Sequence, residues 1–167
     1  SGRTQDPLSV RTMHFVSGPA FDCHDDARRE VDDVIGSRVE NPRFDSGGVW
    51  HHGGFQLTSL ALRLDTLRLA LTQWASTSTA RTVQLNDPRT TGGRRFGADG
   101  PVGSSGVMVL EYTSAAALAT VRALADPATR ASATISNGAE DHASFATRAA
   151  VATAEIVAPF STVVACE

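Results

Sequence analysis

The sequence contains no lysine, because every one of its 15 basic residues is an arginine. A Schiff-base lysine and a P-loop lysine are therefore excluded. Cysteine is scarce too: Cys23 and Cys166 show no metal-ligand spacing, which favours a reducing, cytoplasmic setting over a disulfide framework. The net charge is −3 without a basic stripe, so we expect no nucleic-acid partner. We find no apolar run that is long enough to span a membrane and no signal-peptide pattern, so we expect no membrane partner.

The sequence shows clear helical periodicity. Its length of 167 residues suits one domain or one piece of a larger one. One apolar seam recurs in steps of three and four, as in a long bundle helix: Leu57, Leu60, Leu64, Leu67, Leu71 and Trp74. Further helices are predicted over 21–37, over 107–125 and from about 141 to the chain end, and loops over 5–13, 41–54 and 86–106. No run of strands is credible, so the predicted class is all-α, with long helices forming part of a bundle.

Two groups of residues carry metal-binding chemistry. The segment DCHDD, 22–26, holds Cys, His and carboxylates, but neighbours on a helix point in different directions, which favours a solvated helix face over a metal site. The pair His51-His52 has no carboxylate or third histidine at helical spacing, which favours a plain loop. We therefore expect no metal.

Two charged positions are candidates for a binding site. Glu140 and Asp141 fall at a predicted helix start, where capping and the helix dipole explain them better than a pocket does, although a pocket stays open as an alternative. Arg11, in the segment QDPLSVR, 5–11, has the geometry to clamp a carboxylate, while a surface salt bridge is the commoner role of a lone arginine. The residues alone thus indicate a helical protein with a candidate anion site near Arg11.

Five segments, in order, resemble motifs of the histidine and phenylalanine ammonia-lyase family, which includes the aromatic aminomutases. QDPLSVR is similar to the family's Gln-Asp-Pro-Tyr-Ser-Leu-Arg, and ENP, 40–42, to its Asp-Asn-Pro. GGFQLTSLALRLDTLRLAL, 53–71, resembles Gly-Asn-Phe-His/Gln and the long helix after it. GSSGVMVLEYTSAAALA, 103–119, is similar to Asn-Ser-Gly-Phe-Met and its Ala-rich helix, and SNGAEDHASFA, 136–146, to Gln-Glu-Asp-His-Val-Ser.

The resemblance implies a central helical bundle assembled as a homotetramer, and elimination of ammonia from an aromatic amino acid or histidine to an α,β-unsaturated acid. It also implies a 4-methylidene-imidazol-5-one prosthetic group made by cyclising an Ala-Ser-Gly triad. This sequence has no such triad, which in the family lies upstream of the matched part together with a catalytic Tyr. We therefore expect residues 1–167 to be a fragment of the ammonia-lyase-like domain, without its electrophile-bearing part and inactive alone.

Roles implied by the resemblance fall on five positions. Arg11 matches the arginine that binds the substrate carboxylate, and Gln5 matches a glutamine near the prosthetic group. Phe55 matches an aromatic residue beside the substrate ring. Glu140 matches the glutamate that faces the imidazole in histidine enzymes, and Gln56 stands where those enzymes carry His. Each residue is expected to contribute to a site that neighbouring subunits complete.

The departures from the family pattern also carry information. Leu8 stands where the family has a Tyr that takes part in the chemistry, and leucine has no group for acid–base work. Gly54 replaces an Asn, Ala139 a Gln, and Ser104 the Asn of Asn-Ser-Gly. The substrate and the choice between lyase and aminomutase stay open. Two further alternatives also stay open. One is a divergent, non-catalytic homolog that keeps the carboxylate site, and the other is a separate subunit that pairs with an N-terminal partner chain.

Overall fold

The computed structural model describes residues 4–167 and begins with two helices where a loop is predicted. Helix α1 spans Leu8–Arg11, and helix α2 spans Met13–Gly36. The prediction of a loop over 5–13 and of a helix only from 21 is wrong at this point. Gly-Pro is a turn signal in sequence, yet Pro19 lies inside α2. Packing of α2 along the longest helix of the chain overrides that local preference, with Ala20 and Ala27 buried.

A small antiparallel ribbon follows α2. Strand β1 spans Arg43–Asp45 and strand β2 spans Gly48–Trp50, with Phe44 opposite Val49. The prediction of an irregular loop over 41–54 is wrong here, because the Asp45 carboxylate stabilises a tight turn: it accepts bonds from the Gly47 amide at 2.9 Å and from the Trp50 indole at 3.0 Å. The ribbon covers six residues and leaves the class all-α.

Three further long helices join α2 to form the bundle. Helix α3 spans Thr58–Leu85, so it contains the predicted leucine seam after Leu57 and runs on beyond Trp74, and helix α5 spans Val109–Leu124. Helix α6 spans Ala146–Cys166, so it begins later than predicted and runs on through Pro159. The stretch between α3 and α5 is a loop, as predicted, with one helical turn, α4, at Pro88–Thr91. Single 3-10 turns lie at Gly54–Gln56, Arg95–Gly97, Ala128–Arg130 and Ser136–Gly138.

The core lies where α3 meets the other helices. Leu64 and Leu67 of the predicted seam are buried, and the partly buried Leu71 touches both halves of the core. Their partners on α2, α5 and α6 are mostly small or branched residues: Ala27, Leu118, Val121, Ala149, Ile156 and Val163. Burying one such leucine or isoleucine side chain is worth about 1.5–3 kcal/mol, so the seam is the principal apolar contribution of α3 to stability.

Helix α6 corrects one expectation. Its 21 residues are long and apolar enough to cross a membrane, judged by length and composition only. In the bundle, Ala149, Ile156 and Val163 are buried against α3 and α5, whereas 28% of the apolar stretch as a whole is buried.

Candidate functional site

An open cleft of about 640 Å³ lies at the N-terminal end of α3. Gln56 connects its two walls, because its side-chain amide donates to the carbonyl of His142 at 3.0 Å while its own carbonyl accepts from the Ser144 hydroxyl. Leu57 has a left-handed backbone (φ 50°), which turns the chain from the 3-10 turn into α3. The residues that line the cleft include Phe55, Gln56, Glu140, His142, Ser144 and Phe145.

Glu140 lies in the second wall of this cleft and not at a helix start. Its amide and carbonyl pair with Ile135, which closes a turn through the 3-10 segment Ser136–Gly138. Helix α6 begins only at Ala146, so the interpretation of Glu140 and Asp141 as helix-capping residues is wrong. The alternative, a carboxylate that faces a pocket, fits the observed position. The structure thus brings together three of the predicted site residues, Phe55, Gln56 and Glu140.

His52 and Gly54 are in direct contact beside the cleft. The Gly54 amide donates to Nδ1 of His52 at 3.1 Å, so Nδ1 is the acceptor in this contact. A Cβ at position 54 would lie 3.0 Å from that Nδ1. The ring thus occupies space that a larger residue, such as the Asn of the family pattern, would need. Within residues 4–167 no group of three His, Cys, Asp or Glu side chains could hold a metal ion.

The other predicted residues lie in and beside α1. Leu8 is 60% exposed, and Gln5 and Arg11 are exposed as well. The guanidinium of Arg11 has no ion pair or hydrogen bond within the described part of the chain. Ser9, between Leu8 and Arg11, is buried: its carbonyl accepts from Nη1 of Arg81 at 2.8 Å, and its hydroxyl accepts from the Gln84 amide at 3.0 Å.

The two groups of residues lie at opposite ends of α3. The Phe55–Gln56 turn leads into Thr58, the first residue of the helix, whereas α1 is bonded to Arg81 and Gln84 near its end. At 1.5 Å per residue, the distance from Thr58 to Arg81 along the axis is about 35 Å. A single chain therefore does not bring Arg11 and Glu140 into one pocket.

Glu167 completes a polar cluster beneath α1. Its carboxylate accepts from Nη2 of Arg81 at 2.8 Å and from the Ser78 hydroxyl at 2.6 Å. Burial alone would raise the pKa of Glu167, but the bonds from Arg81 and Ser78 outweigh burial and lower it. Sequence reasoning missed this cluster. Its signal was present, because Ser78 and Arg81 continue the seam beyond Trp74 in steps of four and three, as polar residues at buried positions.

Comparison with known proteins gives a family and a set of curated relatives. The family model described as aromatic amino acid lyase matches residues 1–167. Histidine ammonia-lyase of Deinococcus radiodurans is 33% identical over 99% of this chain, which covers 32% of that relative. The chain thus spans about a third of the length of the curated relatives that it matches.

Solved structures share the fold. The crystal structure of histidine ammonia-lyase from Trypanosoma cruzi superposes with a TM-score of 0.89 at 24% identity, over 97% of this chain and 32% of that one. Phenylalanine aminomutase of Pantoea agglomerans superposes with a TM-score of 0.87 at 23% identity, over 98% of this chain and 34% of that one. At these identities the likeness concerns the all-helical architecture alone.

Proposed function

Because the chain belongs to the aromatic amino acid lyase family, we propose that it is part of an ammonia-lyase that removes ammonia from histidine or an aromatic amino acid. The observation that carries the proposal is the guanidinium of Arg11, which has no partner among residues 4–167 and extends from a turn whose Ser9 is bonded to Arg81 and Gln84. The planar guanidinium of an arginine can donate two parallel N–H bonds, which suits the two oxygens of a substrate carboxylate. The free thiols of Cys23 and Cys166 support a cytoplasmic location.

The active form is an assembly of several chains, as the proposed homotetramer requires. A pocket that contains both Arg11 and Glu140 must take them from different subunits, since about 35 Å of α3 separates the two groups. Large apolar side chains on the outer face of α3 support contact with other chains: Leu62 and Leu69 are 50% and 47% exposed.

Within that pocket each residue has a proposed role. Arg11 binds the carboxylate, and Phe55 packs against the substrate ring. Glu140 meets a cationic or polar ring group and accepts a hydrogen bond from it, with Gln56 fixing the wall on which Glu140 lies. Gln5 lies near the electrophile. The chain has no Ala-Ser-Gly triad, so its own residues do not fit the formation of the prosthetic group, and no step through that group is assigned to them.

Histidine is the favoured substrate among the amino acids of the family. Glu140 and His142 line the same cleft, and a carboxylate there is complementary to an imidazolium but not to a phenyl ring. The curated relatives named histidine ammonia-lyase, 29–38% identical to this chain, support the same choice.

Leu8 favours a second candidate, a homolog that binds amino acids without turning them over. Leucine offers no donor or acceptor at the position of the family Tyr, and loss of one acid–base group lowers a rate by about 10²–10⁴-fold. The full-length protein is assayed by ultraviolet absorbance with histidine, tyrosine and phenylalanine. Product from histidine supports the lyase. No product from any substrate, with turnover gained by Leu8→Tyr, supports the binding homolog, and no product from either protein contradicts the proposed lyase.

A further inference from the structure

Ser9 is held from two sides by residues near the end of α3. On one side Nη1 of Arg81 donates to the Ser9 carbonyl at 2.8 Å, in a contact that is buried. On the other side Nε2 of Gln84 donates to the Ser9 hydroxyl at 3.0 Å. Ser9 is the only residue of the Leu8–Arg11 turn that is buried, so these two bonds act at the single point where α1 enters the protein.

Arg81 is itself oriented by Glu167. Its Nε and Nη2 atoms face the two carboxylate oxygens, which leaves Nη1 directed at Ser9. The Ser78 hydroxyl donates to the same carboxylate at 2.6 Å. The Arg81 side chain is 9% exposed and that of Glu167 is 24% exposed, so water competes weakly for the fork. A two-point contact of this kind fixes direction as well as distance.

The turn that contains Ser9 also contains Arg11. The amides of Val10 and Arg11 both donate to the Pro7 carbonyl, at 3.0 and 3.2 Å, and the Thr12 hydroxyl donates to the Leu8 carbonyl at 2.6 Å. A shift at Ser9 therefore moves the Arg11 backbone with it. The guanidinium of Arg11 has no bond of its own within residues 4–167, so within that range the turn sets the backbone position from which the side chain extends.

We propose that Arg81, directed by Glu167, is a positioning residue that fixes the Leu8–Arg11 turn and so aims the guanidinium of Arg11 at a substrate carboxylate. The substrate part rests on the proposed function. The structural part, that Arg81 and Gln84 restrain the turn, does not. Arg81 touches no substrate under this proposal; it acts through Ser9.

The structural part is tested by amide hydrogen exchange in the full-length protein. Arg81→Gln is expected to raise exchange at Val10, Arg11 and Thr12 by about tenfold or more, since a buried bond from a charged donor is lost. Arg28→Gln is the matched control, because Arg28 pairs with Asp32 on an exposed face at 3.9 Å, and it should leave those amides unchanged. Unchanged exchange in Arg81→Gln, or an equal rise throughout α3 and α6, overturns the proposal.

Gln84→Met covers the case in which Arg81→Gln does not fold. Methionine keeps the length of glutamine and removes only the bond to the Ser9 hydroxyl. Exchange at the same three amides should rise by about threefold, a smaller effect than at Arg81 because the lost donor is neutral. No rise overturns the restraint by Gln84.

The substrate part is tested by kinetics of the same full-length variants. Arg81→Gln should raise KM for the amino acid by about tenfold or more with a smaller change in kcat, and Arg81→Lys should recover only part of the loss, since lysine lacks the planar fork. Faster exchange at Arg11 with an unchanged KM overturns the link to substrate binding. If the wild-type protein turns over none of the amino acids, the proposed function fails, and the exchange data still decide whether Arg81 restrains the turn.

Discussion

Arg68 and Asp65 form a buried ion pair one turn apart on α3, with side chains 0% and 5% exposed. Arg68 also donates to the carbonyl of Leu124, the last residue of α5, at 2.9 Å and to that of Ala149 in α6 at 2.8 Å. Asp65 accepts from the Thr129 amide at 2.9 Å. The pair thus joins three helices and the turn after α5, with its polar atoms satisfied inside the core.

Removal of the Asp65 charge should destabilise the protein strongly. Asp65→Asn leaves Arg68 buried without its counter-ion, a situation that costs about 3–5 kcal/mol. The control is Arg130→Gln, because Arg130 pairs with Asp126 on an exposed surface, where a pair is worth about 0–1 kcal/mol. Urea unfolding followed by circular dichroism gives both values. Equal effects of the two substitutions would contradict the role assigned to Asp65.

Acid should weaken the fold through Asp65 and Glu167. Burial would raise the pKa of Asp65, but hydrogen bonds from Thr129, Ala128 and Arg68 outweigh it and lower the pKa. Hydrogen bonds from Arg81 and Ser78 lower the pKa of Glu167 in the same way. A lowered pKa stabilises the fold above the pKa of the unfolded group, and the contribution is lost as pH falls through the folded pKa. Because unfolded carboxyl groups have pKa values of roughly 4, urea midpoints should fall between about pH 6 and about pH 3. In Asp65→Asn the fall should be smaller; an equal fall would rule out Asp65 as a source.

Gly106 should not tolerate a side chain. Its φ is +49°, and an added Cβ would lie 2.2 Å from the carbonyl oxygen of Phe96, which is rigid backbone. Gly106→Ala should lower the free energy of unfolding by at least about 1–3 kcal/mol from backbone strain, before the clash is added. Gly36→Ala, at the end of α2 with nothing within 4 Å, is the matched control and should change stability little. Thermal melts of the two variants test the difference, and similar melts would show that the loop 96–107 adjusts.

Two inactive variants should restore each other in a mixed assembly. Arg11→Ala and Glu140→Ala of the full-length protein each remove one part of the proposed pocket. If a pocket draws those residues from different chains, co-assembly at equal amounts leaves about a quarter of the pockets with both residues intact. Activity is compared between the co-expressed pair and a mixture of separately assembled variants. A co-expressed pair as inactive as its parents would contradict a pocket that takes Arg11 and Glu140 from different chains.

The sequence predicted the long elements well because their signal is local. The Leu64 and Leu67 seam specifies α3, and the Ala-rich run 107–125 specifies α5. The sequence did not predict the start of α2, because Pro19 is a turn signal and the helix around it is stabilised by packing. The bond from Arg81 to Ser9 could not be predicted from local sequence patterns, since it joins residues 72 positions apart. Motif resemblance selected the candidate site residues, whose roles stay predictions, but it did not indicate that they occupy opposite ends of one helix.

The 28-residue length of α3 has a consequence for how such an enzyme would be handled. A pocket shared between chains exists only while the chains are associated, so the proposed activity depends on protein concentration. Specific activity would fall when a stock is diluted below the dissociation constant of the assembly, and it would return when the sample is concentrated.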